Sequence, residues 1–229
     1  MKKAIRYILL TVCVCVFCYS AYNLINIYLN YKKIDDDYGE LAKTYTKEKE
    51  EKEEKESYLQ INWDELLQRN KDVKAWIQIP NVNYPVLQGE TNDTYIHSDI
   101  DHNELSAGSI FIASENEDPF NDFNTVIYGH NMKNGSMFNN IKSYTDQSFG
   151  HIISETSVLY NTHIVDTASF VQEMVKTSSI KVDFDQSQVQ SVITLSTCTS
   201  AGSESGKRNV VHAILQRKGI DPVKEKMEN

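Results

Sequence analysis

Cysteine is scarce outside the beginning of this chain. Of the four cysteines in 229 residues, Cys13, Cys15 and Cys18 lie in an N-terminal apolar stretch, and Cys198 is the only one in everything that follows. The long C-terminal part therefore holds no cysteine pair, which excludes a disulfide within it. A lone cysteine there is either a buried, inert side chain or a nucleophile, and the thiol alone does not decide between the two.

Net positive charge is also lacking. The formal net charge is -9. Proteins that bind nucleic acids neutralise phosphates with a basic surface, so the composition argues against a nucleic-acid partner. Sequence motifs typical of metal, nucleotide or phosphate sites are missing as well, and we expect no cofactor.

The segment His97–Glu104, with the sequence HSDIDHNE, comes closest to a metal motif. A calcium loop counted from Asp99 would need glycine and glutamate where Glu104 and Ile110 stand. As a zinc site the segment lacks cysteine and the usual helical spacing of histidines. We therefore expect a solvated surface loop and no metal site.

The first 30 residues predict a membrane anchor. Lys2, Lys3 and Arg6 precede an apolar run, Tyr7 to Leu29, of about the 20 residues that a bilayer-spanning helix needs. The basic start favours a cytoplasmic N-terminus. A cleavable signal peptide is the alternative, but no convincing cleavage site follows and the run is long for one. We expect a single-pass cell-membrane protein whose remaining chain is extracellular.

A charged segment, residues 31–57, follows the anchor. Pairs such as Glu48 and Lys52 have the i,i+4 spacing that supports a solvated helix, and an apolar stripe is not evident, so the segment is predicted to be a helical stalk. A folded domain is expected over residues 58–219, opening with Asn62 as a helix N-cap. Residues 220–229 are expected to be a frayed, charged tail.

The pattern of the folded domain is mainly β. Two strands are predicted around Pro80 within residues 75–89. Further elements are predicted as follows: strands at Ser109–Ala113, Thr125–Tyr128 and Ser157–Asp166, a short helix at Phe138–Tyr144, and a helix within Ser169–Thr177.

Cys198 ends an apolar, β-branched run. Residues 192–195 favour a buried strand, and the polar residues 199–207, with two glycines, predict a loop before a second strand that begins near Arg208. If the two strands pair antiparallel, Arg208 comes back near Cys198. A thiol and a guanidinium would then share one end of a sheet.

A second informative stretch is Thr125–Met132, TVIYGHNM, which predicts a strand that stops at Gly129 and presents His130 on the next turn. Histidine titrates near neutrality and is the usual partner of a thiol nucleophile. A thiol can attack an acyl carbon, an imidazole can protonate a leaving amine, and a guanidinium can stabilise an oxyanion. Together, His130, Cys198 and Arg208 point to acyl transfer.

These stretches resemble the sortases, membrane-anchored cysteine transpeptidases of Gram-positive bacteria. The resemblance rests on TLSTCT at 194–199, on the arginine before VVH at 208–212 and on YGHNM at 128–132, with weaker agreement at 76–89 and 107–111. It covers most of residues 59–215. The TLSTC and GHNM forms, and the helical stretch before the cysteine strand, are similar to class B.

The resemblance implies a sortase-type β-barrel of seven or eight strands with short peripheral helices. It implies Cys198 as the nucleophile, His130 as the acid/base and Arg208 as the oxyanion or substrate stabiliser, with Ser196 and Thr197 as further substrate-binding residues. The implied substrate is a secreted protein with an N-P-x-T-type or L-P-x-T-G-like sorting signal, cleaved after threonine. The implied acceptor is an amine of a peptidoglycan precursor or a pilin lysine.

Two segments depart from the resemblance. Phe149–Ala168 is short for class B, and the acidic residues 114–122 differ from a D-Y-R-N-type sequence. Two alternatives also stay open. One is a papain- or NlpC/P60-like hydrolase, in which the cysteine precedes the histidine and usually begins a helix. The other is an inactive membrane-anchored interaction module on the same fold.

Overall fold

The computed structural model describes residues 2–50, 57–143, 151–153, 164–178 and 184–214. The chain forms two compact units, Met1–Gln68 and Arg69–Asn229. The predicted tail at 220–229 lies outside the described residues. So do most of Phe149–Ala168 and all but the last three residues of the strand predicted at Ser157–Asp166.

The first unit begins with helix α1, Lys2–Tyr45. Within the described residues it is the one helix that is long and apolar enough to cross a membrane. Its large apolar side chains between Ile5 and Leu29 are exposed. A helix that contacts lipid on all sides has this property.

The second half of α1 carries a buried stripe. Its members have at most 6% of their surface exposed and recur every three or four residues, which puts them on one helix face: Ile34, Tyr38, Leu41 and Tyr45. The prediction of a segment without an apolar stripe is therefore wrong for this part. Charged and polar residues separate these four, so the average composition of the segment is that of a solvated helix.

The predicted stalk helix also ends early, because a strand begins immediately after α1. Strand β1, Thr46–Glu50, pairs antiparallel with β2, Ser57–Ile61. Charge pairs at i,i+4 spacing are worth only about 0.2–0.5 kcal/mol each, too little to prevent Thr46–Glu50 from pairing as a strand, and residues 51–56 of the predicted stalk lie outside the described residues. Helix α2, Trp63–Arg69, then follows Asn62, whose carbonyl oxygen accepts the Leu66 N–H, as predicted for the N-cap.

The second unit is built on a seven-stranded mixed sheet. Its order is β3-β4-β5-β6-β8-β9-β7, with β4–β5 and β6–β8 parallel and the other pairs antiparallel. The strands are β3 (Val73–Ile79), β4 (Val82–Leu87), β5 (Ile110–Ile112), β6 (Asn124–Tyr128), β7 (His151–Ile153), β8 (Val192–Cys198) and β9 (Arg208–Ile214).

The number of strands agrees with the expectation, but the sheet is not closed. In the described part of the chain β3 and β7 are its two ends, and a barrel needs hydrogen bonds between such ends. The sheet is therefore an open ladder. The helix predicted at Phe138–Tyr144 is a 3-10 helix, Phe138–Ser143.

Helix α3, Thr167–Thr177, covers the beginning of β8. Phe170, Val171 and Met174 lie on one helix face, at most 4% exposed, in a cluster with Val192 of β8. The helix predicted within Ser169–Thr177 is therefore confirmed. The cluster fixes β8 at the end of the strand opposite to Cys198.

Strand directions bring three chain segments to one edge of the sheet. Because β6 and β8 are parallel, Tyr128 and Cys198 end their strands on the same side. Strand β9 runs antiparallel to β8, so its first residue, Arg208, lies there too. The topology alone therefore collects the sequence-predicted catalytic residues at one edge.

Candidate active site

Cys198 and Arg208 are direct partners across two strands. The register of β8 and β9 pairs Cys198 with Arg208, as predicted. The next pair is hydrogen-bonded, since the Thr199 N–H donates to the Lys207 carbonyl oxygen at 3.3 Å. Cys198 and Arg208 therefore form a non-hydrogen-bonded pair, whose side chains share one face with Cβ atoms about 4.5–5.5 Å apart.

The His130 loop is attached to the same strand end. In the parallel register Tyr128 pairs with Ser196, so two residues further on His130 is level with Cys198. The Gly129 N–H donates to the Ser196 carbonyl oxygen at 3.2 Å, which continues the ladder past the end of β6. The Asn131 side-chain amide donates to the carbonyl oxygen of Cys198 at 2.8 Å.

The loop is also closed on itself. The Phe138 N–H donates to the His130 carbonyl oxygen at 2.9 Å, and the Asn139 amide donates to Asn131 Oδ1 at 2.7 Å. Gly129 lets the Phe138 ring approach, because a Cβ there would lie 2.7 Å from a ring carbon. These contacts restrain the loop, so the His130 side chain keeps a defined position.

The His130 ring is held by the segment between β4 and β5. Its Nε2 lies 2.7 Å from the Ile96 carbonyl oxygen, and its ring stacks on that of His97 with centroids 5.5 Å apart and planes at 21°. A carbonyl oxygen only accepts, so Nε2 carries a proton. In the neutral ring the lone pair is then on Nδ1.

Burial lowers the pKa of His130 below its ordinary value of 6.5. The hydrogen bond to the Ile96 carbonyl opposes this shift, and the neighbouring charge of His97 adds to it. The neutral imidazole is therefore the main form at neutral pH. A neutral ring with a free Nδ1 can accept a proton from a thiol or an attacking amine, and its acid form can return that proton to a leaving group.

Ser196 and Thr197 lie deeper than expected for residues that contact a substrate. They are 1% and 3% exposed. Side chains alternate along a strand, so Ser196 shares the face of Cys198 whereas Thr197 lies on the opposite face. Their substrate-binding role stays a prediction.

The His97–Glu104 segment is a loop pinned by a bridge between Ser98 and Glu104. The Asp99 carboxylate accepts the main-chain N–H groups of Asp101 and Asn103, both at 2.8 Å. Across the described residues there is no group of three or more potential metal ligands. His97 and the residue before the loop, Ile96, contact His130, whereas the acidic residues of the loop do not contribute a described contact to the candidate site.

Comparison with known proteins decides the family. The family model Sortase, described as the sortase domain, matches residues 77–216, more than half of the chain. A curated relative, sortase B of Staphylococcus aureus strain NCTC 8325, is 30% identical over 94% of this chain and 98% of its own. The chain belongs to the sortase family. It is therefore a cysteine transpeptidase.

Solved structures of class B sortases are similar in fold to this sortase. Sortase B of B. anthracis in complex with AAEK1 superposes with a TM-score of 0.67 at 26% identity, over 83% of this chain and 100% of its own. A Staphylococcus aureus sortase B–substrate complex gives 0.60 at 29% identity, over 68% and 85%. These matches confirm the sortase fold.

The papain-like alternative is wrong for this sortase. In such hydrolases the cysteine precedes the histidine and usually begins a helix, whereas here His130 precedes Cys198 and Cys198 is the last residue of β8. Membership of an enzyme family favours an active enzyme over the inactive-module alternative.

Sequence reasoning did not find four contributors to the site: Ile96, His97, Asn131 and Asn139. Asn131 carried a signal, since it follows His130 directly in GHNM. Ile96 and His97 carried none, because their contacts with His130 span more than thirty residues and depend on the path of a loop. Asn139 acts only through Asn131.

Proposed function

We propose that this sortase cleaves the C-terminal sorting signal of a secreted protein after threonine and joins the new carboxyl end to an amine. His130 takes the proton of the Cys198 thiol, the sulfur attacks the threonine carbonyl carbon, the peptide bond breaks, and His130 gives that proton to the departing amine. A thioester on Cys198 remains. An incoming amine then attacks this thioester and gives its proton to His130, an amide forms as the sulfur is displaced, and the proton returns from His130 to the sulfur.

The observation that carries this proposal is the side-by-side pairing of Cys198 and Arg208 at the strand end to which the His130 loop is tied. The Arg208 guanidinium donates to the Lys207 carbonyl oxygen at 3.0 Å. Among the described residues it has no carboxylate partner. Its remaining N–H donors are therefore available to an oxyanion formed beside Cys198.

The substrate we favour carries an N-P-x-T-type signal, because the motifs of this chain are similar to class B. An L-P-x-T-G-like signal is the competitor. The acceptor we favour is an amine of a peptidoglycan precursor, with a pilin lysine as the second possibility. A peptide library spanning both signal types, tested with both kinds of amine, separates the four combinations.

We propose that α1 anchors the enzyme in the cell membrane of a Gram-positive bacterium, with its N-terminus in the cytoplasm and residues 58–219 outside the cell. The basic residues at the N-terminus and the apolar run behind them support this orientation. Protease treatment of intact cells tests it. Digestion of the C-terminal part with protection of the first residues is expected, and full protection would reverse the topology.

The reaction is tested with the full chain in detergent, an N-P-x-T peptide and a glycine-based amine. Cys198→Ala is expected to abolish turnover, and His130→Ala and Arg208→Ala each to lower it at least about 100-fold. With amine present the main product should be the amide rather than the acid. Near-normal turnover by Cys198→Ala would refute the mechanism, and an acid product at all amine concentrations would make the protein a hydrolase.

A further inference from the structure

His97 is an exposed histidine that contacts the proposed acid/base directly. It lies between β4 and β5, and its ring is parallel to that of His130 within 21° at a centroid distance of 5.5 Å. The residue before it, Ile96, accepts the hydrogen bond of His130 Nε2 at 2.7 Å. Two consecutive residues therefore hold the same imidazole, one at its edge and one at its face.

These contacts restrain different motions. The hydrogen bond to the Ile96 carbonyl fixes the direction of Nε2 but allows the ring to tilt about that contact. The stacked His97 ring opposes tilting, because a flat partner loses contact when the planes separate. Together they leave Nδ1 with one orientation.

We propose that His97 is a positioning residue for the transpeptidation reaction: by stacking on His130 it keeps Nε2 on the Ile96 carbonyl and presents Nδ1 as the atom that exchanges protons. This inference rests on the proposed role of His130. It assigns to the segment between β4 and β5 a part in catalysis that requires no contact with substrate. His97 also adds an electrostatic effect, since two stacked imidazolium rings repel each other.

His97, in the segment between β4 and β5, contacts the His130 ring, whereas Cys198 ends β8 and Arg208 begins β9 at the edge to which the His130 loop is hydrogen-bonded. Of these, His97 is the one stacked on the ring. Its charge adds to burial in lowering the pKa of His130.

The chain supplies a matched control. His102 lies in the same loop, is also exposed, and stacks on the Tyr95 ring with centroids 5.2 Å apart and planes at 30°. It contacts Tyr95 rather than His130. The changes His97→Asn and His102→Asn therefore remove the same ring, with the same chemistry, from two stacks in one loop. A third variant, His97→Phe, keeps a flat ring but removes the charge.

The experiment combines two readouts on the full chain in detergent. Nitrogen NMR of histidine-labelled protein gives the tautomer and titration midpoint of His130, whose signals are those missing from His130→Ala. Turnover of an N-P-x-T peptide gives kcat and KM across pH. The NMR readout needs no substrate, so it still tests His97 if the peptide is not cleaved and the proposed function fails.

We expect the Nε2–H tautomer in the wild-type protein. His97→Asn should lower kcat about 10-fold, with KM changed less than about 2-fold, because orientation rather than binding is lost. His97→Phe should keep kcat within about 2-fold and raise the His130 midpoint, because the neighbouring charge of His97 is removed. His102→Asn should change neither quantity.

Three results would overturn the proposal. One is a His97→Asn protein with the kcat and His130 midpoint of the wild type. The second is a His97→Phe protein as slow as His97→Asn, since the flat ring would then not be what positions His130. The third is an equal effect of His102→Asn, which would indicate a general disturbance of the loop. If His97→Asn does not fold, the His97→Phe protein decides: loss of the Nε2–H tautomer of His130, although a flat ring is present, refutes positioning by stacking.

Discussion

The Asn131 side chain donates a hydrogen bond of 2.8 Å to the main-chain carbonyl oxygen of Cys198. The residue next to the proposed acid/base is thus tied to the residue that carries the proposed nucleophile. The side-chain oxygen of Asn131 in turn accepts a hydrogen bond of 2.7 Å from the side-chain amide of Asn139. The Asn131 amide therefore links the His130 loop to Cys198 through a tether that involves neither of the proposed catalytic side chains.

Removal of this tether should slow the reaction with little effect on substrate affinity. In Asn131→Ala the hydrogen bond to Cys198 is lost, and we expect kcat to fall about 10- to 100-fold with KM nearly unchanged, because small misplacements of reacting groups are costly. Asn139→Ala should have a smaller effect of the same kind. Steady-state kinetics with a sorting-signal peptide measures both.

Asn140 provides the control for this tether. It is adjacent to Asn139 in the same 3-10 helix, but its amide donates to the Pro80 carbonyl oxygen at 3.1 Å. Asn140→Ala should therefore leave kcat within about 2-fold of the wild type. Equal losses in Asn139→Ala and Asn140→Ala would mean that the helix, and not the tether, is responsible.

Gly129 is expected to tolerate no side chain because of Phe138. A Cβ at position 129 would lie 2.7 Å from the buried ring. Gly129→Ala should destabilise the protein by about 1–3 kcal/mol, as overpacking does, and also lower kcat by moving the His130 loop. Adding Phe138→Leu should recover part of both losses, measured by thermal unfolding and peptide turnover. Strict additivity of the two changes would disprove the clash.

The pH dependence of stability should carry a contribution from His130. Burial is the main cause that lowers the folded-state pKa of His130 below 6.5. At pH values between the folded-state pKa and 6.5, the unfolded chain therefore binds more protons than the folded one. The free energy of unfolding should then fall as the pH drops through 6.5 and stop falling from this source below the folded-state pKa. His130→Gln should lack this slope in denaturant titrations at several pH values. An unchanged slope would place the titration elsewhere.

Arg208 should act through the planar arrangement of its guanidinium N–H donors and not only through its positive charge. Arg208→Lys keeps the charge but loses the planar guanidinium. We expect the turnover of Arg208→Lys to be at most about 10-fold higher than that of Arg208→Ala, which is itself expected to be at least about 100-fold below the wild type. Turnover of the same peptide gives the comparison. Full activity of Arg208→Lys would reduce the role of Arg208 to charge alone.

Much of the sheet could be predicted, because its strands have local signatures. The β-branched run before Cys198 and the glycine-containing loop after it predict the antiparallel pair, and the observed register places Arg208 opposite Cys198. The order of strands required tertiary information, as did the open ladder, since no local pattern specifies which edges pair. The site was predictable where each residue ends or begins a strand.

Residues that act through long-range contacts could not be predicted in this way. The contact of His97 with His130 depends on the path of a loop, and nothing in HSDIDHNE distinguishes His97 from His102. The buried stripe from Ile34 to Tyr45 was missed for a different reason. Its spacing is visible in the sequence, but the surrounding charges dominate the average composition.

The most direct test of the account is the mass of the acyl-enzyme. The full chain is mixed with an N-P-x-T peptide without amine, quenched in acid and digested with trypsin, and the fragment from Val182 to Lys207, which contains Cys198 as its only cysteine, is weighed. We expect this fragment to gain the acyl part of the peptide ending in threonine, and an added amine to remove it as an amide. Acylation of another fragment, or turnover without any acylated Cys198, would contradict it.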